Sequence, residues 1–134
     1  MDGNGVPLAV CLTQANRHDV TQLLALVDAV PPVRGRPGAP RRRPKSLYAD
    51  RAYDSEPHRR ALRRRRVRPF LAKRRTPHGS GLGVHRWVVE RTFAWLHRFR
   101  RLRIRWERRA DVHEAFLLLG CAGICWRALG GSFC

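Results

Sequence analysis

Residues 46–72 read SLYADRAYDSEPHRRALRRRRVRPFLA, and the fold turns on this stretch. SLYAD (46–50) has the short apolar character of a strand and ends in an acid. SEPHRRALRRRRV (55–67) predicts a helix. Ser55 suits the N-cap, Glu56 and Pro57 suit the first turn, and Ala61 and Leu62 supply a thin apolar stripe. VRPFLA (67–72) then predicts another strand. A strand, a helix and a strand in succession imply parallel pairing through a crossover.

Working outward, GVPLAVCLT (5–13) predicts a short buried strand after a DGNG turn. HDVTQLLALVDAV (18–30) places Val20, Leu23, Leu24, Val27 and Val30 at helical spacing, with Asp19 or Asn16 as its cap. PPVRGRPGAPRRRPK (31–45) has no periodicity and reads as a Pro/Arg-rich surface loop suited to touching phosphate. KRRTPHGSGLG (73–83) is a second loop. VHRWVVERTFAWLHRFRRL (84–102) predicts the strongest helix of the chain. A last helix over about 110–128 is apolar nearly all round and is expected to be buried. The expected class is α/β, with three short strands and flanking helices in one domain.

The composition narrows the partners. There are 28 Lys+Arg against 10 Asp+Glu, a formal charge of +18. A compact domain with that charge repels itself unless it works beside a polyanion. Arginine runs at 41–43, 63–66 and 73–75, with Trp87, Trp95 and Trp106 nearby, suit phosphate contact and base stacking. The bland reading of each run is a solvated face. Cys11, Cys121, Cys125 and Cys134 form no C-x-x-C pair, so free thiols are expected, buried at Cys121 and Cys125. The longest uninterrupted apolar run, AFLLLGCAGICW, falls short of the ~20 residues that span a bilayer. A cytoplasmic protein without a membrane partner is the expectation.

Two acids stand out. Asp50 ends a strand, and in open α/β sheets ligands gather beyond the carboxyl ends of strands. The alternative is a turn or helix-cap aspartate, a role that Asp54 fits better. Glu90 is the lone acid of RWVVERTFAWLHRFRRLRIR (86–105). On one continuous helix, Arg86, Glu90, His97 and Arg101 share a polar face, with Val89, Phe93, Leu96 and Leu102 towards the core. Glu90 is then either half of a structural pair with Arg86 or a metal ligand. Carboxylates from a strand end and a helix can share Mg²⁺, but two-metal phosphoryl transfer normally takes three acids.

LYADRAYDS (47–55) followed by RWVVERTFAWLHRFRRLRIRWERRADVHEAFLLLGCAGICWR (86–127) closely resembles the C-terminal half of DDE transposases of bacterial insertion sequences. The similarity is greatest to the insertion-sequence-five family in its actinomycete-type branch, and GVPLAVCLTQANRHDVTQLLALVDAVPPVRGRPG matches upstream. The resemblance implies a ribonuclease-H-like fold that cuts and joins DNA with Mg²⁺ held by two aspartates and a glutamate. Matched by motif, Asp50 is the second aspartate and Glu90 the glutamate, both catalytic and metal-binding. Within the family's tyrosine–arginine–glutamate–lysine signature, Arg86 matches the arginine, Gly83 stands at the tyrosine and His97 at the lysine. Arg86, Arg91, His97, Arg98, Arg101, Arg74 and Arg75 are the implied DNA contacts.

The first catalytic aspartate has no counterpart here. Asp2 resembles a turn aspartate between the family's second and third strands. The resemblance therefore implies an incomplete ribonuclease-H-like fold, lacking the first two strands of the sheet and leaving strand 46–50 as an exposed edge. It further implies a C-terminal transposase fragment, inactive alone, whose partners are DNA and an upstream-frame N-terminal part. A non-catalytic basic DNA-binding protein or transposition inhibitor is the alternative.

Overall fold

Leu62 and Val67 are fully buried and sit on either side of a helix end. The structure, a computed structural model, describes residues 1–13, 18–34, 37–75 and 82–130. The chain divides into two compact units, Thr13–Val84 on one hand and Met1–Leu12 with His85–Cys134 on the other.

The first unit is the strand–helix–strand run with a helix against it. Strand β1 (Ser46–Ala49) and strand β2 (Arg68–Leu71) pair in parallel, with Leu47 opposite Pro69 and Ala49 opposite Leu71. A 3-10 turn (Asp19–Gln22) leads into helix α1 (Leu23–Asp28), and helix α2 (Glu56–Arg64) crosses between the strands. Leu23, Val27, Leu62, Val67 and Leu71 form the core, with Leu47, Ala49 and Tyr53 packed on it. Period-two alternation turns Tyr48 and Phe70 to the other face, where they stack 4.7 Å apart and stay exposed.

Helix α2 stops in a Schellman motif. The Arg66 amide donates to the Arg63 carbonyl (2.8 Å) and the Val67 amide to the Leu62 carbonyl (3.0 Å). The apolar contact that usually accompanies this motif is here between the two fully buried side chains. Pro69 costs the ladder nothing. The Arg68 amide reaches Lys45 and the Ala72 amide reaches Ala49, so alternation puts position 69 on the edge facing away from β1.

The second unit is built on helices α3 (Gly83–Leu96), α4 (Arg100–Arg103) and α5 (Ala110–Gly130). Several expectations are corrected in the two units. Among the described residues the sheet has two strands, because residues 5–13 enter no ladder. Two of their carbonyls accept from helix side chains instead: Gly5 from the Thr92 hydroxyl (2.7 Å) and Pro7 from the Cys125 thiol (3.6 Å). Gly5 has φ +85, and a Cβ there would meet Thr92 Oγ1 at 3.1 Å, so the approach depends on glycine. The expected DGNG turn is present, with Asp2 Oδ1 accepting from the Asn4 and Val6 amides.

The helix expected over 18–30 is divided into the 3-10 turn and α1. Its N-cap is His18 without a side-chain cap bond, and Asn16 lies outside the described residues. The helix expected over 84–102 breaks at His97–Phe99. The Phe99 amide closes an i→i−3 bond to Leu96, and Phe99 itself is extended. The break sets Phe99 and Leu102 against small positions of α5: a Cβ on Gly120 would lie 2.7 Å from Leu102 and 3.5 Å from Phe99. The buried face of α3 carries Val88 and Thr92, whereas Val89 and Phe93 are exposed.

Helix α5 buries only Gly120 and Ile124, and leaves Leu118, Leu119, Trp126 and Leu129 exposed. By length and composition it is long and apolar enough to cross a membrane. A count of uninterrupted apolar residues did not anticipate this, because the helix runs on through His113, Glu114 and Arg127. Cys11 is exposed, and Cys121 and Cys125 are half-buried free thiols; Cys134 lies outside the described residues.

Candidate functional site

Asp50 follows the last residue of β1 and is exposed. Its Oδ1 accepts from the Ala52 amide (2.9 Å) and so caps a 3-10 turn, Arg51–Tyr53. The capping role expected of Asp54 therefore falls to Asp50. Asp54 has a different one, as the centre of a clamp. It accepts from Arg59 Nη2 (2.6 Å) and from the Arg74 amide (2.8 Å). Arg59 also reaches the Leu71 carbonyl (2.9 Å). Arg74 donates from Nε to the Arg51 carbonyl and from Nη2 to the Ala52 carbonyl, both at 3.0 Å. The clamp ties the turn after β1 to the end of β2, and Asp50 sits on that turn. The Arg74 amide and then the Arg59 guanidinium hold the Asp54 carboxyl below its ordinary range.

Glu90 lies on α3 and is 62% exposed. Its Oε1 accepts from Arg86 Nε at 2.8 Å. An exposed i,i+4 pair with the base N-terminal to the acid is the weaker orientation and is worth about 0.3 kcal/mol. The pair leaves the other carboxylate oxygen on an open face. Asp50 and Glu90 belong to different units.

The predicted DNA contacts are held in several ways. The Arg91 guanidinium lies between two rings, 5.1 Å from Trp87 and 5.3 Å from Trp95, and also reaches the Asn4 carbonyl (3.4 Å). The i, i+4, i+8 spacing of Trp87, Arg91 and Trp95 makes this stack a property of the helix. His97 and Arg98 lie in the turn that ends α3 and are exposed. The break takes His97 and Arg101 off the continuous face that the spacing predicted. Arg101 is tied to Glu107 (2.8 Å) and stands 5.1 Å from the Phe116 ring. It also lines a depression of about 500 Å³ with Arg100 and Trp106. Arg75 is exposed with φ +59, and Arg74 is engaged in the clamp.

Glu107 stands among arginines as Glu90 does, but no helical spacing or motif marks it in the sequence. Its side chain is only 5% exposed, beside Arg101 and His113. The Arg101 hydrogen bond is the main cause holding its carboxyl below the ordinary range. The one available signal was its place before the last helix, where a turn acid can gather cations. Arg59 is likewise unmarked, as one member of a basic helix.

Among the described residues, no three His, Cys, Asp or Glu side chains gather to hold a metal ion. Within neither unit do the described carboxylates form a complete two-metal centre.

A profile of the transposase DDE domain family matches residues 1–124. The chain belongs to that family. It is similar to the putative transposase for insertion sequence element IS402 of Burkholderia cepacia, with 69% identity over 128 residues. The match covers 96% of this chain and 61% of that relative's length. No solved structure matches the chain. Divalent metal use and DNA binding are general to DDE transposases, and both suit an exposed strand-end aspartate in a chain of charge +18.

Proposed function

We propose that this chain acts in DNA transposition as part of an insertion-sequence transposase. In this reading Asp50 and Glu90 are two of the three carboxylates of a Mg²⁺-dependent site for DNA cleavage and strand transfer. The observation that carries it is the family match over residues 1–124, in which Asp50 stands at the carboxyl end of a parallel strand. In this reading the third carboxylate comes from outside residues 1–134, such as an upstream-frame N-terminal part, and residues 1–134 alone are inactive.

The finer assignment is to the insertion-sequence-five family, actinomycete-type, with a ribonuclease-H-like fold. The edges of the sheet support it. Pro69 closes the outer edge of β2, so a further strand pairs on the β1 side, beside Asp50. A central strand with the first aspartate belongs there. Tyr48 and Phe70 supply the uncovered face, and parallel sheets are normally covered on both faces. Arg86, Arg91, His97, Arg98, Arg101 and Arg75 contact DNA, and Arg74 acts through the turn that carries Asp50. The cytoplasm is the proposed site of action, with α5 packed by Gly120 and Ile124 into a folded domain.

A chimera tests this reading, with residues 1–134 replacing the matching stretch of the B. cepacia relative. Excision of a donor cassette by the chimera, abolished by Asp50→Ala and by Glu90→Ala, is the expected result. Excision that survives both substitutions overturns it.

A further inference from the structure

Helix α2 ends where glycine is the usual residue, and an arginine stands there instead. Arg66 occupies the left-handed position of the Schellman motif with φ +61. Side chains are strained in that region and glycine is not. Strain retained in a fold points to use of the strained residue. The Arg66 side chain lines a concavity of about 390 Å³ together with Arg41, Arg42, Arg43 and Lys45.

The opposite wall is held in place. Val33 and Arg41 exchange both backbone hydrogen bonds at 2.9 Å, which pins the neck of the Pro/Arg-rich loop. Arg43 reaches the Arg65 carbonyl (3.4 Å). Arg65 also lines the concavity, but its guanidinium is engaged by Asp28 (2.8 Å) and by the Ala61 carbonyl (3.3 Å). Asp28 is the acid of this face, and it answers Arg65. Among the described residues no carboxylate pairs with Arg41, Arg42, Lys45 or Arg66. Four cations without a carboxylate partner among the described residues thus converge on one hollow, and Arg43, which shares Asp28 with Arg65, adds a fifth. Such a surface suits a repeating anion, and the planar arginine fork suits phosphate.

We propose that Arg41, Arg42, Arg43, Lys45 and Arg66 form a phosphodiester-backbone site that grips duplex DNA without reading its sequence. The proposal rests on the transposase reading and adds a second DNA contact surface, on the other unit from the arginines of α3 and α4.

The test is binding of the 134-residue chain to two duplexes of equal length, one bearing a transposon end and one scrambled, across a salt series. The variants are Arg66→Gly, Arg66→Lys and Arg41→Ala with Arg42→Ala. Arg66→Gly is expected to weaken both duplexes equally and to lower the salt slope by about 0.9 per lost phosphate contact. Its thermal midpoint should hold or rise, because glycine relieves the strained position. Arg66→Lys should keep the slope, and the double variant should lower it further. Unchanged affinity and slope in variants of a chain that binds DNA overturns this site and leaves the transposase reading standing. Loss confined to the transposon-end duplex overturns the sequence-blind grip. No binding of either duplex by the wild-type chain at low salt overturns both readings.

Discussion

The two proposed carboxylates sit in opposite kinds of surroundings. Asp50 is placed by a strand, by its own bond to the Ala52 amide, and by a clamp of Asp54, Arg59 and Arg74. Glu90 is placed by a helix face and one exposed pair with Arg86. The turn that carries Asp50 is fixed from within its unit, whereas Glu90 is held only by α3 and Arg86. The hydrophobic residues repeat the contrast. The unit around Leu62 has a closed cluster of five buried side chains, while α5 leaves Trp126 77% exposed. One region closes a core under its sheet while leaving Tyr48 and Phe70 bare on the other face, and the other leaves most of α5 uncovered.

The largest expected effect tests the contrast in packing. Leu62→Ala should cost about 2–5 kcal/mol in denaturant unfolding, because Leu62 is fully buried between α1 and β2. Trp126→Ala should stay within about 0.5 kcal/mol, despite removing a larger side chain. Equal losses would erase the contrast. Next comes the clamp. Arg74→Ala should free the Arg51–Tyr53 turn and reduce excision by the chimera about 10–100-fold, as lost support of a ligand does. Faster hydrogen exchange at the Ala52 amide would separate this from a lost DNA contact.

A smaller effect lies in the acid limb of stability. Asp54 and Asp28 are both held below their ordinary range, Asp28 chiefly by the Arg65 hydrogen bond. A depressed carboxylate stabilises the fold fully above its unfolded value and loses that contribution as pH falls through its folded value. Thermal midpoints should therefore be level above about pH 4 and fall below it. Asp54→Asn should flatten part of that fall. The smallest effect is Glu90→Gln, expected to change stability by about 0.3 kcal/mol in equilibrium unfolding. A loss of several times that would give Glu90 a structural role that its exposure does not suggest.

The strand–helix–strand unit was legible because its signals agree. Pro57 marks the helix start, Ala61 and Leu62 mark its apolar stripe, and short apolar runs flank it. Residues 5–13 were misread because an apolar extended run looks the same whether it joins a sheet or threads between helices. The long helix was misread because 86–105 stays basic through the break, and Phe99 and Leu102 show their reason only against Gly120. At the site, position and motif are enough to propose Asp50 and Glu90. The hollow around Arg66 is not visible in sequence because it is assembled from arginines that look alike, and the burial of Glu107 is not, because it depends on Arg101 and His113 from two other elements. Asp54 looks like a simple cap in sequence because its partners are distant, Arg59 on α2 and Arg74 beyond β2.

The central claim is that this chain carries two carboxylates of a metal site it does not complete. Mn²⁺ binding, followed by electron paramagnetic resonance in residues 1–134 and in the chimera, tests it most directly. The account predicts that the chimera binds the ion and loses it with Asp50→Asn or Glu90→Gln, while residues 1–134 alone bind weakly and are indifferent to both. Tight binding by residues 1–134 alone, abolished by Asp50→Asn, would contradict it.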